Sequence, residues 1–149
     1  MLKKFVSSLL AVFLLVACGS STSAGTSPAK DAEAIVNELG LSGKMDQIQD
    51  RVVKGLFFFE EGTIEESAVY IANDKTADVV GVFKAKDTAA AKEKIEAYLA
   101  SAKEQMQNYY PDEVFKIDNA IIEEKGDKII LIVTNDIEAA RKKAQEILG

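Results

Sequence analysis

The sequence predicts an α+β domain: a four-stranded antiparallel sheet from two hairpin-plus-helix units (ββαββα), with an N-terminal helical segment covering the second sheet face. Three observations carry this. Short runs rich in Val and Ile, around residues 67–84 and 120–133, are each broken by a turn sequence, as hairpin strands are. Two stretches that follow them carry apolar residues at steps of three and four, the spacing of amphipathic helices. An aspartate, Asp87 or Asp136, stands at the head of each of these helices.

The chain opens with a segment outside that fold. Lys3 and Lys4 precede an apolar stretch from Phe5 to Ala17, broken only by Ser7 and Ser8. As a helix this stretch reaches only about 20 Å, against about 30 Å of bilayer hydrocarbon, so it reads as a signal peptide over residues 1–17 and not as a span. Leu15-Val16-Ala17-Cys18 resembles the lipobox of bacterial lipoproteins, which places signal peptidase cleavage between Ala17 and Cys18 and lipid on the Cys18 sulfur. The competing reading is a secretory leader with a chance cysteine. Two acyl chains make a firm anchor where one is marginal. Residues 18–30 then read as the lipidated cysteine and a flexible tether, because Gly19 to Ala29 is small, polar and uncharged. Ser27-Pro28-Ala29-Lys30 matches Ser-x-x-Lys by form alone, with no partner motif downstream.

Residues 31–149 read as one domain. Asp31 to Leu39 is a short helix with Ile35 and Leu39 one turn apart, stopped by Gly40. Met45, Ile48, Val52, Leu56 and Phe59 fall at steps of three and four, so Lys44 to Phe59 reads as a second helix, weakened by Gly55 and Val52-Val53. Ser67 to Ala72 and Val79 to Lys84 form a hairpin about Asn73-Asp74-Lys75-Thr76. Isolated Gly81 marks close packing of a helix. A long helix follows Asp87, with Ala91, Ile95, Leu99, Ala102, Met106 and Tyr109 on one face, and Pro111 ends it. Ala120 to Lys125 and Lys128 to Val133 form a second hairpin about Gly126-Asp127, and Asn135 or Asp136 starts the last helix.

The strand-then-helix stretches beginning at Asp78 and Asp127 align at an offset of 49 residues. They read either as an internal duplication or as two units built to the same rules. Short loops put both long helices on one sheet face. Yet Ile129, Leu131 and Val133 alternate with Ile130 and Ile132, and Val79 and Phe83 with Val80 and Val82, so these strands are apolar on both sides and buried on both. Residues 45–59 are therefore expected to cover the second face.

Composition excludes several functions. Net charge is −6, and loss of Lys3 and Lys4 with the leader takes it to −8, which argues against nucleic acid as a partner. There is no histidine, and Cys18 is the only cysteine, so no disulfide framework and no thiolate metal site exist. No metal and no cofactor is expected. Glu60-Glu61, Glu65-Glu66, Asp74 and Asp78 read as solvated turn acids, since they lack the alternation of a calcium loop. Glu93 and Glu96 lie among Lys92 and Lys94 on a polar helix face.

No residue reads as catalytic. Without histidine or a free thiol, acid–base chemistry needs a carboxylate raised by burial or a depressed lysine. Glu123 and Glu124, in a strand, are the only acids placed for that. The candidate partner surface is aromatic: Phe57, Phe58, Tyr109 and Tyr110. Three consecutive aromatics, Phe57 to Phe59, cannot all point inward.

Several stretches taken together resemble a known family. They are the lipobox and Ser/Thr-rich tether, Glu65-Glu66-Ser67-Ala68-Val69-Tyr70, the strand Val79 to Lys86, the helix ending near Tyr110-Pro111, and Gly126-Asp127-Lys128. The resemblance, over roughly residues 31–148, is to the bacterial domain-of-unknown-function family 4358, small lipoproteins mainly of Gram-positive anaerobes. It implies a Gram-positive cell surface and transfers no functional residue. The expectation is a non-catalytic binding or adaptor module at the outer face of the cytoplasmic membrane. Its partners would be membrane lipid, through acylated Cys18, and a protein or cell-wall component. The alternative is a carboxylate-dependent hydrolase or a solute-binding accessory acting on wall material, using two acids or an acid with Tyr70, Tyr109 or Tyr110.

Overall fold

The computed structural model describes residues 26–149. The signal peptide, Ala17, Cys18 and the tether up to residue 25 lie outside the described residues. Helix α1 (Pro28–Glu38) starts three residues before the expected Asp31, because Pro28 sits in its first turn, where proline is pre-organised for a helix. Buried Asp31 ties this turn to the sheet by accepting from the Lys128 ammonium and the Thr26 hydroxyl.

The expected helix over 44–59 is two elements, strand β1 (Met45–Ile48) and helix α2 (Asp50–Phe57). The reason is geometric. A spacing of three puts Met45 and Ile48 on one side of a helix but on opposite faces of a strand, and both faces of this sheet are buried. After them come β2 (Ile64–Ala72), β3 (Val79–Ala85), the 22-residue α3 (Thr88–Tyr109), a 3-10 turn (Pro111–Glu113) and the short α4 (Val114–Asp118). The chain closes with β4 (Ile121–Lys125), β5 (Lys128–Val133) and α5 (Ile137–Leu148). The sheet has five strands and not four, in the order β1-β2-β3-β5-β4, with every neighbouring pair antiparallel.

Both faces are covered, as the two-sided apolar strands require: Val80, Val82, Ile130 and Ile132 are all but fully buried. The covering differs from expectation. Helices α2, α3 and α4 share one face with Val69, Phe83, Ile129 and Leu131, while α1 and α5 share the other with Val80, Val82, Ile130 and Ile132. The two long helices thus lie on opposite faces, and residues 50–59 sit beside α3.

Strand parity explains the split. Phe83 stands four residues before its cap Asp87, and Ile132 four before Asp136, so equivalent connections swing each helix onto the side these residues face. In the β3–β5 register Phe83 pairs with Ile129, so residues of equal parity share a face. An offset of 49 is odd, and the equivalent positions therefore face opposite ways. Gly81 accommodates the Phe83 ring and not a helix: a Cβ there would stand 2.8 Å from two of its atoms.

Candidate functional site

Helices α2 and α3 share one sheet face, and a groove of about 660 Å³ lies between them. Ile71, Val79 and Val133 of the sheet and Ile117 of α4 form its floor. Leu56 and Phe58 form one wall, and Tyr98, Leu99 and Met106 the other. Gly55 on α2 and Ala97 and Ser101 on α3 keep it open, since larger side chains at these positions would close the gap.

Phe58 is the most conspicuous part of the rim. It ends α2 in the left-handed region, with φ of 54°, and is 76% exposed. A bulky residue in this conformation is strained. The turn it makes sends its neighbours inward. Phe57 and Phe59 stack at 5.3 Å between centroids, and both set edges against Phe83, at 5.3 and 5.5 Å. Phe57, a candidate surface residue by sequence, is 1% exposed and belongs to the core. Phe58 alone of the three aromatics points out.

The polar groups of the groove are few. The Tyr98 phenol, whose ring lies 4.5 Å from that of Phe57, has its pKa pushed up by burial to about 12, so it stays a neutral donor. The Lys94 side chain lines the groove. Asp78 lines it too, and is not the solvated turn acid expected from the sequence. It is buried and accepts from the Lys116 ammonium at 2.7 Å, while Glu113 accepts from the same ammonium at 2.8 Å. Glu113 also accepts from the Ala77 N–H at 2.8 Å. Burial lowers the Lys116 pKa, but the hydrogen bonds and charges of Asp78 and Glu113 outweigh it, and the net shift is upward.

A shallower basin adjoins the groove, between the Asn73–Thr76 turn and the 3-10 turn. Tyr109 and Tyr110 line it, both exposed, and the Lys75 ammonium lies 5.9 Å from the Tyr110 ring centre. Asp74 in this turn is held below the usual carboxylate range, first by the Thr76 hydroxyl and then by the Thr76 N–H. Of the four aromatic candidates, the structure thus places Phe58 on the groove, Tyr109 and Tyr110 in the basin, and Phe57 inside.

Apart from Asp78 and Glu113, which share the Lys116 ammonium, the acids do not converge. Glu123 pairs with Arg141 at 3.6 Å, Glu124 with Lys92 at 3.3 Å, and Glu65 with Lys84 at 2.9 Å. Among the described residues no three metal-ligating side chains cluster. Lys94, Tyr98 and the Asp78–Lys116–Glu113 network escaped the sequence reading. The one available signal was Lys94 and Tyr98 standing four apart on a helix, which puts both on one side.

A family model described as a domain of unknown function, DUF4358, matches residues 37–134. That span is narrower than the resemblance over 31–148: it holds all five strands and every residue lining the groove, and leaves out most of α1 and all of α5. No curated protein and no solved structure matches the chain.

Proposed function

The chain belongs to the DUF4358 family, and we propose that it is a non-catalytic binding module held by lipid on Cys18 at the outer face of the cytoplasmic membrane of a Gram-positive cell. The observation that carries this reading is the groove between α2 and α3. It is concave and mostly apolar, its volume lies in the range of small-ligand sites, and all of its lining falls within the family segment. A strained, exposed Phe58 on its rim fits the same reading, since strain of this kind collects at sites of function. The Leu15-Val16-Ala17-Cys18 sequence and the small polar residues after it support the anchor.

The test is made on intact cells. A photo-crosslinking side chain is placed at exposed Gln105 on the rim of the groove and, as control, at exposed Lys142 on α5. A defined adduct is expected from Gln105 and not from Lys142. In parallel, fatty-acid label should enter the wild-type chain and be lost in Cys18→Ala. Equal label in both would overturn the anchor, and matching adducts from both positions would overturn the groove as the binding site.

A further inference from the structure

We propose that the groove binds a single-tailed amphipathic carboxylate, with its head at Lys94 and its tail running along α3 towards Met106. This deepens the functional reading above and rests on it. The first support is charge. Helix α3 carries three lysines; Lys92 pairs with Glu124 and Lys103 with Asp118, whereas Lys94 has no acidic partner among the described residues. Its helical neighbours three and four positions away are Ala90, Ala91, Ala97 and Tyr98, while Glu93 and Glu96, one and two positions away, do not face it on a helix. A half-buried, uncompensated ammonium on the wall of an apolar groove complements one negative charge.

The second support is the arrangement around it. Tyr98 lies one turn further along the same wall, and its hydroxyl has no hydrogen-bond partner among the described residues, leaving it free to donate to a carboxylate oxygen. Beyond Tyr98 the lining includes Ile71, Val79, Leu99 and Met106, with Thr76, Ser101 and Gln105 as its neutral polar members. The only other charged residue of the lining, Asp78, shares the Lys116 ammonium with Glu113, so that cluster is net negative and offers a carboxylate nothing. From Lys94 to Met106 the helix advances about 18 Å, more than an extended ten-carbon acyl chain needs. One cation calls for one head charge, and a chain this acidic disfavours polyanions.

The probes are decanoate, decanol and decyltrimethylammonium, titrated calorimetrically against the mature-length chain carrying Cys18→Ser. Decanoate should bind saturably, one per chain, and decyltrimethylammonium weakly. Lys94→Met should weaken decanoate at least about fivefold and leave decanol unchanged, while Lys94→Arg retains most of the affinity. Ser101→Trp should block decanoate and decanol alike, and Ala97→Phe serves if Ser101→Trp fails to fold. Equal affinity for decanoate and decanol, unmoved by Lys94→Met, would overturn the carboxylate head while leaving an apolar binding groove. Failure of all three probes to bind would overturn this proposal, and the Gln105 crosslink would then decide whether the binding-module reading survives for another ligand.

Discussion

Phe58 shows how one residue can serve packing and exposure together. Its left-handed backbone lets Phe57 and Phe59 turn back onto Phe83 from either side of it, and its own ring is left in solvent. For a bulky residue that conformation costs about 1 kcal/mol or more. Glycine would adopt it freely, and a ring 76% exposed loses little burial on removal. Phe58→Gly is therefore expected to stabilise the domain by about 0.5–1 kcal/mol, seen as a higher urea midpoint with an unchanged slope. A lower midpoint would mean that the exposed ring packs usefully and that its position needs no functional cause. That one of three consecutive aromatics must face outward was legible from the sequence. Which one was not, because it depends on the φ angle at the end of α2.

At the scale of elements, the caps are the most legible features. Asp87 accepts from the Ala90 N–H at 2.9 Å and Asp136 from the Ala139 N–H at 3.1 Å, the geometry expected of an aspartate before a helix. Asp87→Ala and Asp136→Ala should each cost about 1 kcal/mol in urea unfolding. Since α3 and α5 pack on opposite faces, the double substitution should cost the sum to within about 0.5 kcal/mol. A large deviation would mean that the two helices are coupled through the sheet. Both hairpins were legible too, from their apolar runs and turns. Strand β1 was not, because Met45 and Ile48 satisfy a helix and a doubly buried strand equally well. The faces of α3 and α5 were not, because loop length says nothing about strand parity. That parity also bears on the 49-residue similarity. The two strand-to-helix passages are alike, but β3 and β5 are antiparallel neighbours whose helices lie on opposite faces. No rotation superimposes two hairpin-plus-helix units so placed. The similarity is then one of strand, cap and helix, and does not extend to the hairpins.

For the molecule as a whole, a sheet buried on both faces splits the core in two, and the apolar groove lies in the half that α2, α3 and α4 cover. The groove was hidden in the sequence because its walls, residues 55–58 and 94–106, are far apart in the chain and meet only if α2 shares a face with α3. Ala97 and Ser101, which keep it open, look like ordinary helix residues. Burial around this groove also determines how stability depends on pH. Tyr98 has its pKa raised from 10.0 to about 12 by burial. Lys116 is raised above 10.5, its burial being outweighed by Asp78 and Glu113. Tyr70, on the opposite face of the sheet, is raised by burial and then by Glu33. A group whose pKa is higher in the folded state holds its proton there while the unfolded chain has lost it, so stability falls as pH rises between the two values. The domain should keep full stability below about pH 10 and lose it towards pH 12, with Tyr98 alone accounting for about 2–3 kcal/mol. Tyr98→Phe should flatten that part of the fall and leave the rest to Lys116 and Tyr70. A different signature belongs to Lys116→Met, which leaves Asp78 and Glu113 unpaired and should cost about 3–5 kcal/mol at neutral pH already. Urea midpoints of the three proteins between pH 7 and 12 separate these effects. A wild-type midpoint that stays level from pH 10 to 12 would show that the groove wall is wet enough for the Tyr98 phenol to ionise as it does in the unfolded chain.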